Sequence, residues 1–107
     1  MYTPIRQGDQ YYFPFVISQG STAITPENCD DVKIQMGSTV YKYSNGELTY
    51  GLYDSTHSGW LFPLTQKMTL GFSGSVPTQL QIQQGTNIFG SDTIYIPVDF
   101  SIINEVW

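Results

Sequence analysis

The sequence predicts an all-β protein, and three observations carry the prediction. Ala23 is the only alanine, so the best helix former is nearly absent. Aromatic residues make up 15% of the chain and glycines number 10, a composition of strands and turns. Apolar residues alternate with polar ones in short runs separated by Gly, Asn, Asp and Ser. At 107 residues the chain is sized for one domain, spanning 1–107, with a core of its own. About seven or eight strands fit the pattern, which favours a single immunoglobulin-like antiparallel β-sandwich over a five-stranded barrel.

Taken in order, Tyr11, Phe13, Phe15 and Ile17 form one apolar file. Pro14, on the other face, has no N–H for a ladder and marks an edge strand or a bulge. A turn at residues 18–21 leads to Thr25-Pro26-Glu27-Asn28, which reads as a capped single helical turn with Thr25 as N-cap and Pro26 at the first helical position. Val32, Ile34 and Met36 alternate with Lys33 and Gln35, as in a half-buried strand. Gly37-Ser38 then turns the chain into residues 40–43. Asn45-Gly46 is the strongest hairpin signal, since both central residues of a type I′ turn need positive φ. Leu48, Tyr50 and Leu52 are therefore expected to return antiparallel to residues 40–43.

A polar loop at residues 54–59 feeds Trp60-Leu61-Phe62-Pro63-Leu64, dense enough in large apolar groups for burial on both faces, with Trp60 as the core anchor. Residues 65–70 lack a clean period and fit either a strand or one turn of helix. Leu80 and Ile82 alternate with Gln79, Gln81 and Gln83 in a strand that turns at Gly85-Thr86-Asn87. Ile94, Ile96 and Val98 then alternate against Thr93, Tyr95 and Pro97, before a last segment through Ile102 and Ile103 to Val106 and Trp107.

Groups that carry chemistry are sparse. Nine acidic residues against four basic ones give a net charge of −5, and Arg6, Lys33, Lys42 and Lys67 are scattered singly. Phosphate binding needs several convergent cations, so nucleic acid is not an expected partner. Cys29 stands alone, without a disulfide or zinc partner, and is expected as a reduced, partly buried small residue. No run approaches the ~18 apolar residues of a membrane helix, and no signal peptide is recognisable, so a soluble protein made in a cytoplasm is expected. His57, the sole histidine, would have to carry any metal site or Ser-His-acid triad alone and reads as a solvated loop residue. GxSxG, HExxH and phosphate-cradling glycine loops are all missing, so no enzymatic activity is expected. Glu27, Asp30 and Asp31 match no calcium-loop spacing and read as a solvated turn. No metal or cofactor is assigned.

Two apolar features bear on binding. Tyr41, Tyr43, Tyr50 and Tyr53 flank Asn45-Gly46. They form either a stacking platform for a glycan or protein, or cross-strand pairs that stabilise a sheet by roughly 0.2–1 kcal/mol each. Ile102, Ile103, Val106 and Trp107 make an unusual finish, because chain ends normally fray. Either Trp107 closes the protein's own core, or the segment docks on a neighbouring subunit.

Arg6-Gln7-Gly8-Asp9 ahead of Tyr11, Phe13 and Phe15, then Leu64-Thr65 to Thr69-Leu70, then Leu80-Gln81-Ile82-Gln83, together resemble a known pattern. It is that of small β-sandwich proteins of tailed bacteriophages of Gram-positive hosts, in particular the N-terminal domain of the phage upper-baseplate protein. In that group a basic-x-Gly-Asp turn opens an aromatic strand, a Leu-Thr-x-x-x-Thr-Leu segment lies mid-chain, and an alternating strand precedes a short variable hairpin. The resemblance covers most of the chain. It implies a non-enzymatic, immunoglobulin-like structural module of a virion or prophage, attached to tail, baseplate or head proteins, homo-oligomeric or present in many copies. Such domains are often followed by a fibre or receptor-binding region, whereas this sequence stops at Trp107, so an adaptor, decoration protein or connector is expected. Two other readings stand beside it. One is a carbohydrate-binding module for host surface glycans, using the hairpin tyrosines and Trp60. The other is a small acidic inhibitor of a host defence protein, against which the thin spread of carboxylates argues.

Overall fold

Period-2 burial organises the chain into two sheets over one core, in a computed structural model that describes residues 4–101. In chain order the elements are β1 (Ile5–Arg6), β2 (Tyr11–Phe15), β3 (Ser18–Gln19), β4 (Thr22–Ala23), β5 (Asp31–Met36), β6 (Thr39–Lys42), β7 (Thr49–Leu52), β8 (Ser58–Leu64), the short helix α1 (Gln66–Leu70), β9 (Ser75–Gln84), β10 (Asn87–Gly90) and β11 (Ile94–Asp99). The larger sheet has the order β1-β11-β9-β5-β6, with β10 also paired to β9; the smaller runs β2-β8-β7; β3 and β4 form a separate hairpin. The protein is all-β, as its composition requires. Eleven strands occur among the described residues rather than seven or eight, because two-residue ladders at β1, β3 and β4 are too short to show a period. Nor is the pairing wholly antiparallel. β1 runs parallel to β11, Ile5 opposite Val98, and a strand that short takes its direction from the burial of Ile5 in the core.

β9 is the spine of the larger sheet. One side pairs with β5 from Gln83 opposite Asp31 to Thr78 opposite Met36. The other is shared by β10 and β11. Between Gly90, opposite Gln81, and Ile94, opposite Thr78, the outer strand carries one residue more than β9, which makes a bulge. Ser91 stitches it: its N–H donates to Leu80 O at 2.9 Å, and its hydroxyl accepts from Leu80 N at 3.0 Å. Val76, Thr78, Leu80 and Ile82 face the core, while Gln79, Gln81 and Gln83 lie on the outer face, as their alternation predicts.

In the smaller sheet β2 pairs with β8 alone among the described residues, which places Pro14 in an edge strand of that sheet. Trp60, Phe62 and Leu64 enter the core. Burial on both faces does not occur, however: Leu61 and Pro63 are only half-buried, on the outer face in register with Pro14 and Tyr12. Thr25-Pro26-Glu27-Asn28 is a hydrogen-bonded turn and not a turn of helix, closed by Asn28 N–H donating to Thr25 O at 3.1 Å. Residues 65–70 resolve as helix, with the Thr65 hydroxyl accepting from Met68 N at 3.2 Å. That helix locks the turn after β1. The Thr69 hydroxyl, fully buried, accepts from Gly8 N at 2.9 Å and donates to Asp9 O at 2.8 Å, and the Gln66 amide donates to Gly8 O at 3.0 Å.

The Asn45-Gly46 hairpin does not form. β6 belongs to the larger sheet and β7 to the smaller, so residues 43–48 cross between layers. Gly46 has φ of +74° but Asn45, like every non-glycine among the described residues, does not have positive φ, so it closes a 3₁₀ turn over Tyr43–Asn45 instead of the type I′ geometry. The Asp31 carboxylate holds that turn, accepting from Ser44 N at 3.0 Å and Ser44 Oγ at 2.8 Å, and Leu48 drops into the core at 1% exposure.

Trp60, 0% exposed, is the anchor the sequence indicates. Its Nε1–H donates to Ile24 O at 2.9 Å, and Tyr43 and Tyr50 meet its ring edge-on, each with centroids 5.1 Å away. Gly59 beside it admits close approach, since a Cβ there would lie 2.9 Å from Phe15 O. Trp60→Phe keeps a ring but orphans the Ile24 carbonyl, and should destabilise by about 1–3 kcal/mol. Trp60→Ala should lose about 3–5 kcal/mol. Urea denaturation followed by circular dichroism ranks the two.

Candidate functional site

The hairpin tyrosines converge on the core aromatics. Tyr43 and Tyr50 touch Trp60, Tyr41 lies against Phe62 at 4.9 Å, and all three are half-buried. Tyr53 is more open and stacks on His57 at 6.0 Å. Ile102, Ile103, Val106 and Trp107 lie outside the described residues.

His57 sits in an exposed loop, as expected, and its order comes from Asp54. One Asp54 carboxylate oxygen accepts from Thr56 N and His57 N, both at 2.8 Å, and the imidazole Nδ1 lies 2.9 Å away. The Thr56 N–H bond, with those from His57, holds the Asp54 carboxyl below its ordinary value of 3.8. A lowered folded-state pKa stabilises the loop above the ordinary value, and that contribution disappears as pH falls through the folded one. Acid titration by NMR should therefore show the Thr56 and His57 amides moving together below about pH 4, and Asp54→Asn should remove the transition. Cys29 is half-buried and its thiol donates to Thr25 O at 3.3 Å. Burial, with Asp30 and Asp31 nearby, pushes its pKa up, away from a reactive thiolate. Among the described residues no three His, Cys, Asp or Glu side chains group as a metal site.

The basic residues are not all scattered in space. Lys33 and Lys42 stand directly opposite each other across β5 and β6. They continue a row across the outer face of the larger sheet, from Gly90 through Gln81 to Lys33 and Lys42. Asp31, Gln83 and Ile88 complete a cleft of about 130 Å³ around them. His57–Asp54 is the one ion pair among the described residues, so neither ammonium has a carboxylate within 4.0 Å. Asp31, the acid in the cleft, is occupied by Ser44 and by Val32 N. The amides of Gln35, Gln79 and Gln84 are tied to the carbonyls of Gly37, Ser91 and Asn28. Those of Gln81 and Gln83, in the cleft, make no such bond among the described residues. A signal for this pairing was present in the sequence: a two-residue turn at Gly37-Ser38 puts Met36 opposite Thr39 and hence Lys33 opposite Lys42.

Two further concavities lie elsewhere. One, about 520 Å³, runs between α1 and the β5–β6 turn, where Met68, Phe72 and Val76 meet hydroxyls of Ser38, Thr39 and Thr65. The other, about 210 Å³, is a mainly apolar slot between β3 and β10 lined by Ile17, Leu80, Ile82 and Phe89. Among the described residues β10 pairs with β9 alone, and Ile88 and Phe89 on it are 66% and 43% exposed.

Set against known proteins, the chain matches no family model, no curated protein and no solved structure.

Opposed like charges on neighbouring strands cost stability. Lys42→Gln should therefore raise it by roughly 0.2–1 kcal/mol, with a smaller gain at high salt where the repulsion is already screened. Denaturation midpoints at two salt concentrations give the comparison.

Proposed function

We propose that this protein is a non-enzymatic, immunoglobulin-like structural module of a tailed-bacteriophage virion or prophage particle, working by assembly with other phage structural proteins and with copies of itself. Strand order supports the immunoglobulin-like part. β11-β9-β5-β6 and β2-β8-β7 follow the G-F-C-C′ and B-E-D orders of a variable-type domain, and β10 with β11 takes the G position. Trp60 fills the core from β8, whereas antibody domains carry their core tryptophan on the third strand, against a disulfide.

The observation that carries the assembly reading is the β10 edge. Soluble proteins blunt such edges with lysine, proline or a covering element. Asn87-Ile88-Phe89-Gly90 has no charge and no proline, exposes two large apolar side chains, and lies over an apolar slot. An edge of this kind takes a strand from another chain, with main-chain hydrogen bonds supplying affinity and the slot receiving alternate side chains. It supports protein contacts over glycan stacking, since three of the four candidate tyrosines are engaged with Trp60 and Phe62.

Sedimentation of the full chain should show concentration-dependent self-association that Phe89→Lys abolishes without lowering the melting temperature. A protein monomeric at all concentrations, or an assembly indifferent to Phe89→Lys, would overturn the edge as the contact. Tail or head genes beside the coding sequence are the expected neighbourhood.

A further inference from the structure

We infer that the cleft at Lys33 and Lys42 is a docking site for an acidic side chain, Asp or Glu, on an extended segment of a protein partner. The inference rests on the reading of the chain as a protein-contact module and names the chemistry that a second surface would recognise.

Charge is the first argument. In a chain of net charge −5, half of the four basic residues face each other in one cleft. Directly opposed like charges destabilise a sheet, and among the described residues no carboxylate lies within ion-pairing distance of either ammonium. A carboxylate from outside relieves both at once and gains charge-assisted hydrogen bonds. The neighbouring amides are the second argument. Gln81 flanks Lys33 in the same row, Gln83 lies one row along, and both retain unused donors while Gln35, Gln79 and Gln84 are bonded to backbone carbonyls. Asp31 lines the cleft with its oxygens bonded to Ser44 and Val32 N, and Glu47 accepts from the Lys42 backbone N–H at 3.2 Å, so both carboxylates lie near the lysines without pairing with either ammonium.

Size and lining select the ligand class. At about 130 Å³ the cleft is below the ~300–1,000 Å³ of small-molecule sites. It holds a side-chain carboxylate. No aromatic ring lines it for a sugar to stack on, and Ile88 at its rim offers an apolar contact to a neighbouring residue of a peptide. A strand paired to β10 would lie three strand spacings from Lys33, about 14 Å, too far for a glutamate on it to span. The acidic segment therefore crosses the outer face of the sheet, apart from the β10 edge.

The test uses the full chain and a capped peptide of alternating valine and glutamate, with its glutamine counterpart and inorganic phosphate as comparisons. By NMR titration at low salt, the glutamate peptide is expected to shift Lys33, Lys42, Gln81 and Gln83. Lys33→Gln or Lys42→Gln should weaken it about tenfold, the order of one hydrogen bond to a charged group, whereas Lys67→Gln should not. Equal binding of the glutamine peptide, an equal loss with Lys67→Gln, or phosphate bound as tightly as the peptide would each overturn the inference. Phe89→Lys alters the opposite face of the sheet and should bind the peptide as the parent protein does. Loss of self-association with peptide binding intact, or the reverse, therefore separates the two readings.

Discussion

The bond from Trp60 Nε1–H to Ile24 O is the constraint on which the fold turns. An indole buried to 0% exposure cannot leave its N–H unpaired without cost, and the partner it finds lies just past the β3–β4 hairpin. Ile24 N–H in turn donates to Ile17 O at 2.8 Å, so one indole ties β8 to the hairpin and closes that hairpin's base. Tyr43, at the end of β6, and Tyr50, in β7, meet the same ring. Because those strands belong to different sheets, the ring is also the point at which the two layers are fastened, and the crossing at residues 43–48 passes around it.

A second fastening closes the other end of the molecule by hydrogen bonds in place of aromatic packing. Thr69 and Gln66 of α1 hold Gly8 and Asp9 through three hydrogen bonds to their backbone, and the Gln7 amide donates to Phe72 O. The turn at residues 6–9 and the segment 64–70, far apart in the chain, are therefore one bonded unit. Gly8 at φ of +88° permits the turn, and the buried Thr69 hydroxyl needs that turn to satisfy it.

With both ends fastened inward, what is left to act lies on the outer face and edge of the larger sheet. Beside Asp31 and Lys33, the outer face of β5 and β9 is largely glutamine, through Gln35, Gln79, Gln81 and Gln83, and neutral amides cost less to desolvate than charges. The β10 edge offers backbone groups and an apolar slot; the Lys33–Lys42 row offers positive charge and unused amides. In the assembly role proposed for the protein, the edge supplies affinity and the charge supplies selectivity.

The sequence by itself determined which side of each long strand is buried. Val32, Ile34 and Met36, the alternation around Leu80 and Ile82, and the placement of Trp60 all follow from the two-residue pleat, a local property of the backbone. Even the Lys33–Lys42 contact was implicit in the turn at Gly37-Ser38, though it was hidden by their separation along the chain. Only the tertiary structure decided which strands meet. Asn45-Gly46 has hairpin chemistry, yet β6 and β7 part there because Asp31 captures Ser44 and Leu48 is drawn into the core. β1 lies parallel to β11, and among the described residues β10 pairs with β9 alone, for the same reason. Partner choice sums contacts between residues far apart in the chain, and no local period records that sum.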